Sequence, residues 1–313
     1  MSLFRCPICG AVLTREERSY RCGKNHCYDI AKEGYTHLLP VQQKHSQNPG
    51  DDKAMVRSRR AFLSKDYYAP LRRQLEQLAL RYTPANGAVL DSGCGEGYYT
   101  AAIARALTEG GIPHRLAAVD ISKEAVRLTA KSLQQGECAV ASVYHLPIMD
   151  GSIDFLLNCF SPLAIDEFRR VLKQGGHFAY VVPAAEHLWQ MKEVLYDEPY
   201  PNEVKRTPYE GFRYVDVLEV RDTITLDNPE DIFALFQMTP YSWKTPAEGV
   251  ARLKALTTLT TEGFLLSPKE LLQAEFDPEW AYNLDGGPSS ALMYRNDKGK
   301  LLSLIHISEP TRP

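Results

Sequence analysis

Residues 89–100 read VLDSGCGEGYYT, an apolar strand that closes on Asp91 and runs into three alternating glycines, Gly93, Gly95 and Gly97. Glycine takes positive φ without strain and lets the backbone approach a ligand, while the helix that follows offers its first NH groups. A nucleoside cofactor is the ligand such a turn suits. The spacing narrows the choice. Dinucleotide folds use G-x-G-x-x-G with a small last residue, whereas this chain has G-x-G-x-G and places Tyr98 at the sixth position. That disfavours NAD.

The next apolar run, LAAVDIS at 116–122, ends its strand on Asp120, whose carboxylate can accept both hydroxyls of a ribose. D-x-G-x-G-x-G followed by an acid at the end of the next strand resembles the class I methyltransferases, which bind S-adenosylmethionine; Asp91, Gly93, Gly95 and Asp120 carry the resemblance. Downstream, CAVAS at 138–142 and IDFLLNCF at 153–160 read as strands. The run EFRRVLKQGGHFAYVVP from Glu167 reads as a helix, a stop at Gly175 and Gly176, and another strand. Alternation from about 70 to 183 predicts an α/β fold, a Rossmann-like doubly wound parallel sheet with its ligand at the carboxyl edge of the strands.

Near the amino end, Cys6-Pro7-Ile8-Cys9 is followed by Cys22 and then His26, a C-x2-C and a C-x3-H separated by twelve residues. Two such knuckles can present four ligands to a tetrahedral zinc ion (Zn2+), which supplies folding energy that a segment of roughly 35 residues cannot draw from a core. Cys27 is a rival for the fourth position. A disulfide is disfavoured because no signal peptide is visible and Cys94, Cys138 and Cys159 fall in apolar stretches.

The chain has 313 residues, 44% of them apolar, and a net charge of −3, with no run long enough to span a membrane. A cytoplasmic protein without a membrane partner is expected. Residues 1–60 hold eleven Lys/Arg against six Asp/Glu, a net of +5 that leaves −8 for the remainder. The stretch KHSQNPGDDKAMVRSRR at 44–60 reads as an exposed connection into a helix bearing Arg57, Arg59 and Arg60. Beside a zinc knuckle and a methyltransferase core, such a basic face favours an RNA backbone as partner.

Several further motifs occur in order: CPICG, SYRCGKNHCYDIAKEGYTHLLPVQ from Ser19, NPGDDKAMVRSRRAFL from Asn48, YYAPLR from Tyr67, LDSGCGEGYYT, HL at 187–188, and LFQMTPYSWK from Leu235. Together, over about residues 1–264, they resemble the bacterial RlmA-type methyltransferases acting on guanine N1 of large-subunit (23S) rRNA. The resemblance implies a zinc module held by Cys6, Cys9, Cys22 and His26, and a cofactor site that includes Tyr68, Gly95, Glu96 and His187. It also implies a guanine in a hairpin loop of 23S rRNA as substrate and, by analogy alone, a homodimer. A small-molecule methyltransferase with a purely structural zinc module is the alternative, and it would not need the basic segment at 44–60.

Methylation at N1 requires the base edge to be exposed and aligned with the methyl group. In NCFSP at 158–162, Asn158 could bond the base and Phe160 could stack on it; the sequence singles out no general base. The run ALFQMTPYSWK reads as core rather than as a stacking surface. The predicted division is a zinc module at 1–40, a basic connector at 41–66, the methyltransferase domain at 67–264 and a foreign, non-functional tail at 265–313. In that tail, AYNLDGGPSSALMYRNDKGK resembles the carboxyl end of the phosphodiester glycosidases, and SLIHISEPTRP resembles translated adapter sequence.

Overall fold

Strands β1 (Leu13–Arg15), β2 (Ser19–Cys22) and β3 (Cys27–Asp29) form a three-stranded antiparallel sheet. The next strand, β4 (Tyr35–His37), leaves that sheet and pairs in parallel with a strand of the main body. The computed structural model describes residues 2–44, 49–133, 135–204 and 208–265, and the strands at 269–274, 290–295 and 301–307. Helix α1 (Lys53–Leu63) is capped by Asp52, whose carboxylate accepts from the Met55 NH at 2.8 Å. Helix α2 (Ala69–Tyr82) starts with Pro70 in its first turn, where a missing NH costs nothing.

Then follow β5 (Gly87–Ser92), α3 (Tyr98–Glu109), β6 (His114–Asp120), α4 (Lys123–Ser132), β7 (Glu137–Val140), β8 (Ile153–Cys159), α5 (Ile165–Val171) and β9 (Leu172–Val181). All six residues of β5 are buried, as are Leu116–Val119 of β6 and five consecutive residues of β8. Such continuous apolar runs, rather than alternation, suit parallel strands covered on both faces. Each fully buried Leu or Phe contributes about 1.5–3 kcal/mol of transfer free energy.

Beyond β9 come α6 (Trp189–Leu195), β10 (Phe212–Leu218), β11 (Arg221–Leu226), α7 (Pro229–Gln237), α8 (Tyr241–Lys244), α9 (Ala247–Lys254), β12 (Leu259–Leu265) and β13 (Lys269–Ala274). The main sheet has the order β10-β13-β9-β8-β5-β6-β7-β4. Six neighbours run parallel, and at one edge β13 runs antiparallel between β9 and β10, which returns to the common direction. Strand order reverses between β5 and β8, and the crevice outside the strand ends at such a switch point is where open α/β sheets hold ligands. The doubly wound fold expected from the alternation is therefore present.

Two local expectations differ from what is found. The glycine pair was read as a helix stop, yet α5 ends at Val171 and both glycines lie inside β9, where the register slips between Ile153↔Leu172 and Phe155↔His177. Gly175 has φ +75° and a Cβ on Gly176 would sit 2.9 Å from the Lys173 carbonyl, so the pair serves a bulge. Residues 1–274 pack as one unit and 275–313 as another. The first unit thus includes β13, beyond the boundary drawn at 264. Within the second, β14 (Ser290–Arg295) and β15 (Leu301–Ile307) form an antiparallel hairpin. The NLDGG motif at 283–287 and the last six residues lie outside the described residues. Among those described, no helix is long and apolar enough to cross a membrane.

Candidate functional site

The three glycines after β5 all take left-handed backbone, with φ of +87° at Gly93, +55° at Gly95 and +91° at Gly97. Two of them also lack room for a side chain. A Cβ on Gly93 would come within 2.0 Å of Ser161 Oγ, and one on Gly97 within 2.9 Å of Thr129 Cα. Gly97 caps α3, so the loop delivers the chain directly into a helix amino end.

Asp120 closes the far side. Its Oδ2 accepts from the Gly95 NH at 2.9 Å and its Oδ1 from the Ser122 NH at 2.8 Å. Each oxygen keeps a further lone pair, enough to accept from two vicinal hydroxyls. Burial pushes this carboxyl above the ordinary range, against those two hydrogen bonds. A cavity of about 690 Å³ is lined by the chain neighbours of Asp120, Ile121 and Ser122, together with Val140, Asp51 and Lys53.

Asp91 is buried more deeply. Thr100 donates to its Oδ2 at 2.5 Å, while Oδ1 has no hydrogen-bond partner. Burial pushes this carboxyl up to about 7, with the charge of Asp120 adding and the Thr100 bond opposing. Ser92 Oγ, beside it in β5, and the Tyr99 hydroxyl, in the first turn of α3, are likewise buried without partners. Native proteins rarely leave such groups unpaired. A polar, positively charged ligand over the glycine loop would satisfy them, which is the chemistry of S-adenosylmethionine with its ammonium, carboxylate and sulfonium.

Glu96 is buried in the same turn, and burial raises its carboxyl against the opposing charges of Arg60 and Arg59. Arg59 comes from α1: its Cδ lies 3.9 Å from the position of a Cβ on Gly95, and its guanidinium pairs with Asp51 and donates to the Met238 carbonyl. Of the three arginines read as a basic face toward RNA, Arg57 and Arg60 are exposed and Arg59 instead lies half-buried at the glycine loop. Tyr68 is buried at the start of α2 with its ring edge-on to Phe62, and burial holds its hydroxyl far above the ordinary range. His187 is buried two residues ahead of α6, its ring facing that of Phe160 at 6.0 Å between centroids with 26° between the planes.

Asn158 does not do what the sequence suggested. It is fully buried, and its amide donates to the carbonyls of Ser92 at 3.1 Å and Pro162 at 3.2 Å, tying the end of β8 to β5. The amide nitrogen is spent on backbone carbonyls, while the buried Oδ1 has no hydrogen-bond partner. In the segment 234–243, Ala234, Leu235, Phe236 and Met238 are core as expected, while Trp243 is exposed.

The amino-terminal cluster is equally definite. One ligand atom from each of Cys6, Cys9, Cys22 and His26 lies within 4.8 Å of every other. His26 Nδ1 is 3.4 Å from both Cys6 Sγ and Cys22 Sγ, and Cys9 Sγ is 3.7 Å from Cys22 Sγ. Tetrahedral zinc with Zn–S about 2.3 Å and Zn–N about 2.0 Å sets S···S near roughly 3.8 Å and S···N near roughly 3.6 Å. The donors fit zinc. Cys27 is exposed and outside the cluster. Although burial opposes it, hydrogen bonding led by the Tyr28 hydroxyl lowers the Cys6 thiol to about 6, which favours the thiolate a metal requires.

The module is anchored through Glu137 at the start of β7. Its carboxylate accepts from Ser2 Oγ at 2.6 Å, the Leu3 NH at 2.8 Å and the Tyr20 hydroxyl at 3.0 Å.

Comparison with known proteins bears on both halves of the site. The RlmA N-terminal zinc-ribbon family profile matches residues 4–47, and a methyltransferase-domain profile matches residues 90–180. A Streptomyces fradiae protein described as 23S rRNA (guanine(748)-N(1))-methyltransferase is 32% identical over 255 residues, covering 79% of this chain and 88% of that protein. A putative 23S rRNA (guanine-N(1)-)-methyltransferase of Micromonospora griseorubida is 31% identical over 282 residues, covering 82% and 92%. One so described from Bacillus subtilis (strain 168) is 30% identical over 264 residues, with the same coverage.

Proposed function

We propose that this chain, which belongs to the family of 23S rRNA (guanine-N1)-methyltransferases, transfers the methyl group of S-adenosylmethionine to N1 of a guanine in a hairpin loop of 23S rRNA. The observation that carries the reading is the cluster of buried, unpartnered polar atoms, Asp91 Oδ1, Ser92 Oγ and Tyr99 OH, around a left-handed glycine loop. Gly93, Gly95 and Gly97 bring the backbone to the cofactor, Asp120 takes the ribose hydroxyls, and Asp91 faces the cationic methionyl end. Glu96, Tyr68 and His187 complete the lining. Cys6, Cys9, Cys22 and His26 hold Zn2+, whose role is to fold the ribbon that β4 ties to the main sheet.

The cofactor supplies an already activated methyl group. Transfer would join that methyl carbon to guanine N1 with the carbon–sulfur electrons left on sulfur, and it would require the N1 proton to leave with the charge on the purine stabilised at O6. The protein's share is alignment and exclusion of water. An exposed hairpin loop, whose bases can be splayed from the stack, gives access to the N1 edge. The reaction belongs in the cytoplasm, and by analogy a homodimer would set two basic faces about one hairpin.

The exposed cations Arg57 and Arg60 favour RNA over a small molecule as acceptor. Reversing both charges is expected to weaken rRNA methylation and to flatten its salt dependence by about one unit of slope per lost phosphate contact. Affinity for S-adenosylhomocysteine should stay unchanged in Arg57→Glu alone, since Arg60 also bears on the Glu96 carboxyl of the cofactor loop. Undiminished methylation of rRNA across salt concentrations would favour the small-molecule alternative.

A further inference from the structure

We propose that Phe160 is the platform on which the target guanine stacks; this deepens the function proposed above and rests on it. Phe160 follows β8 directly and has φ +51°. A bulky side chain seldom adopts left-handed backbone, and such outliers persist where surrounding structure holds them for a use.

The surroundings hold this one from three sides. Its NH donates to the Val181 carbonyl at 3.0 Å, the Asn158 amide fastens the Ser92 and Pro162 carbonyls on either side, and Ser161 sits where a Cβ of Gly93 would be. The 160–162 turn is therefore built onto the cofactor loop itself. The ring is not pulled into the core: the residue is 42% exposed, and the ring faces the His187 imidazole with 26° between planes.

Tyr144, Tyr200 and Trp243 are more exposed, yet none has positive φ, and none follows a strand paired with β5. An apolar, flat, half-open surface at the carboxyl edge of β8, next to the loop that positions the methyl donor, suits a purine whose N1 edge must point at that donor. Stacking of one base on an aromatic ring is worth roughly 5- to 150-fold in affinity.

Phe160→Ala, Phe160→Gly and Phe160→Tyr are compared for rRNA methylation, for S-adenosylhomocysteine binding by calorimetry and for thermal melting. Phe160→Ala should lower kcat/KM for rRNA by roughly 5- to 150-fold with cofactor affinity unchanged, and Phe160→Tyr should restore most of it. Phe160→Gly should melt higher than Phe160→Ala, because glycine accepts the left-handed backbone, while remaining as poor a methyltransferase. Equal kcat/KM for Phe160→Ala and wild type, or cofactor binding lost in step with activity, overturns the assignment alone. A wild-type chain that methylates no guanine of 23S rRNA overturns the parent reading and this one with it.

Discussion

At Asp91 the demands of folding and of binding pull apart. Its ordinary value is 3.8, and burial in the ligand-free protein lifts it to about 7. The folded state therefore favours the protonated acid. The stability this contributes is fully present below about 3.8 and is lost as pH rises through about 7. A cationic cofactor reverses the preference, so its affinity should rise with pH across the same window. Calorimetric titration with S-adenosylmethionine at a series of pH values should show that rise, and Asp91→Asn should flatten it, weaken binding and stabilise the ligand-free protein near neutral pH. Gly97→Ala places a Cβ 2.9 Å from the Thr129 backbone at φ +91° and should cost about 1–3 kcal/mol in denaturant melts. These residues were legible in the sequence because strand-end acids and spaced glycines are local signals. Phe160 was legible as a stacking ring though its left-handed backbone was not, and the placements of Asn158 and Arg59 were not legible: whether a side chain turns into the sheet, out to solvent or over a glycine loop depends on neighbours distant in the chain.

The elements that join the two modules are short. Three residues of β4 pair with β7, and a single carboxylate, Glu137, holds Ser2, Leu3 and Tyr20. Glu137→Ala should destabilise the protein by about 2–3 kcal/mol, since hydrogen bonds to a charged group exceed neutral ones. Removal of zinc with a chelator should expose the ribbon and, through β4, lower hydrogen-exchange protection of Cys138–Val140; unchanged protection there would show that the ribbon stands apart. The long strands β5, β6 and β8 could be read from apolar runs, whereas a three-residue strand carries too little pattern to read. The Gly175–Gly176 bulge was misread because a glycine pair after a helical stretch has the same local appearance as a helix stop.

Across the whole molecule, the central sheet from β5 to β9 followed from alternation, while its antiparallel edge did not. Strand β13, in the segment read as foreign tail, pairs with both β9 and β10. A chain ending after residue 274 should therefore melt and methylate as the full chain does, and one ending after residue 264 should lose the strand that joins β10 to β9 and aggregate. Equal melting of the two would show that β13 contributes nothing. The central claim, methyl transfer to guanine N1 of 23S rRNA, is tested most directly with labelled S-adenosylmethionine and rRNA from a strain lacking its own guanine-N1 enzyme, the product being mapped by primer extension. A labelled rRNA with an extension stop at one hairpin-loop guanine is the result expected; read-through and no label on rRNA, from a protein that binds S-adenosylhomocysteine normally, would contradict it.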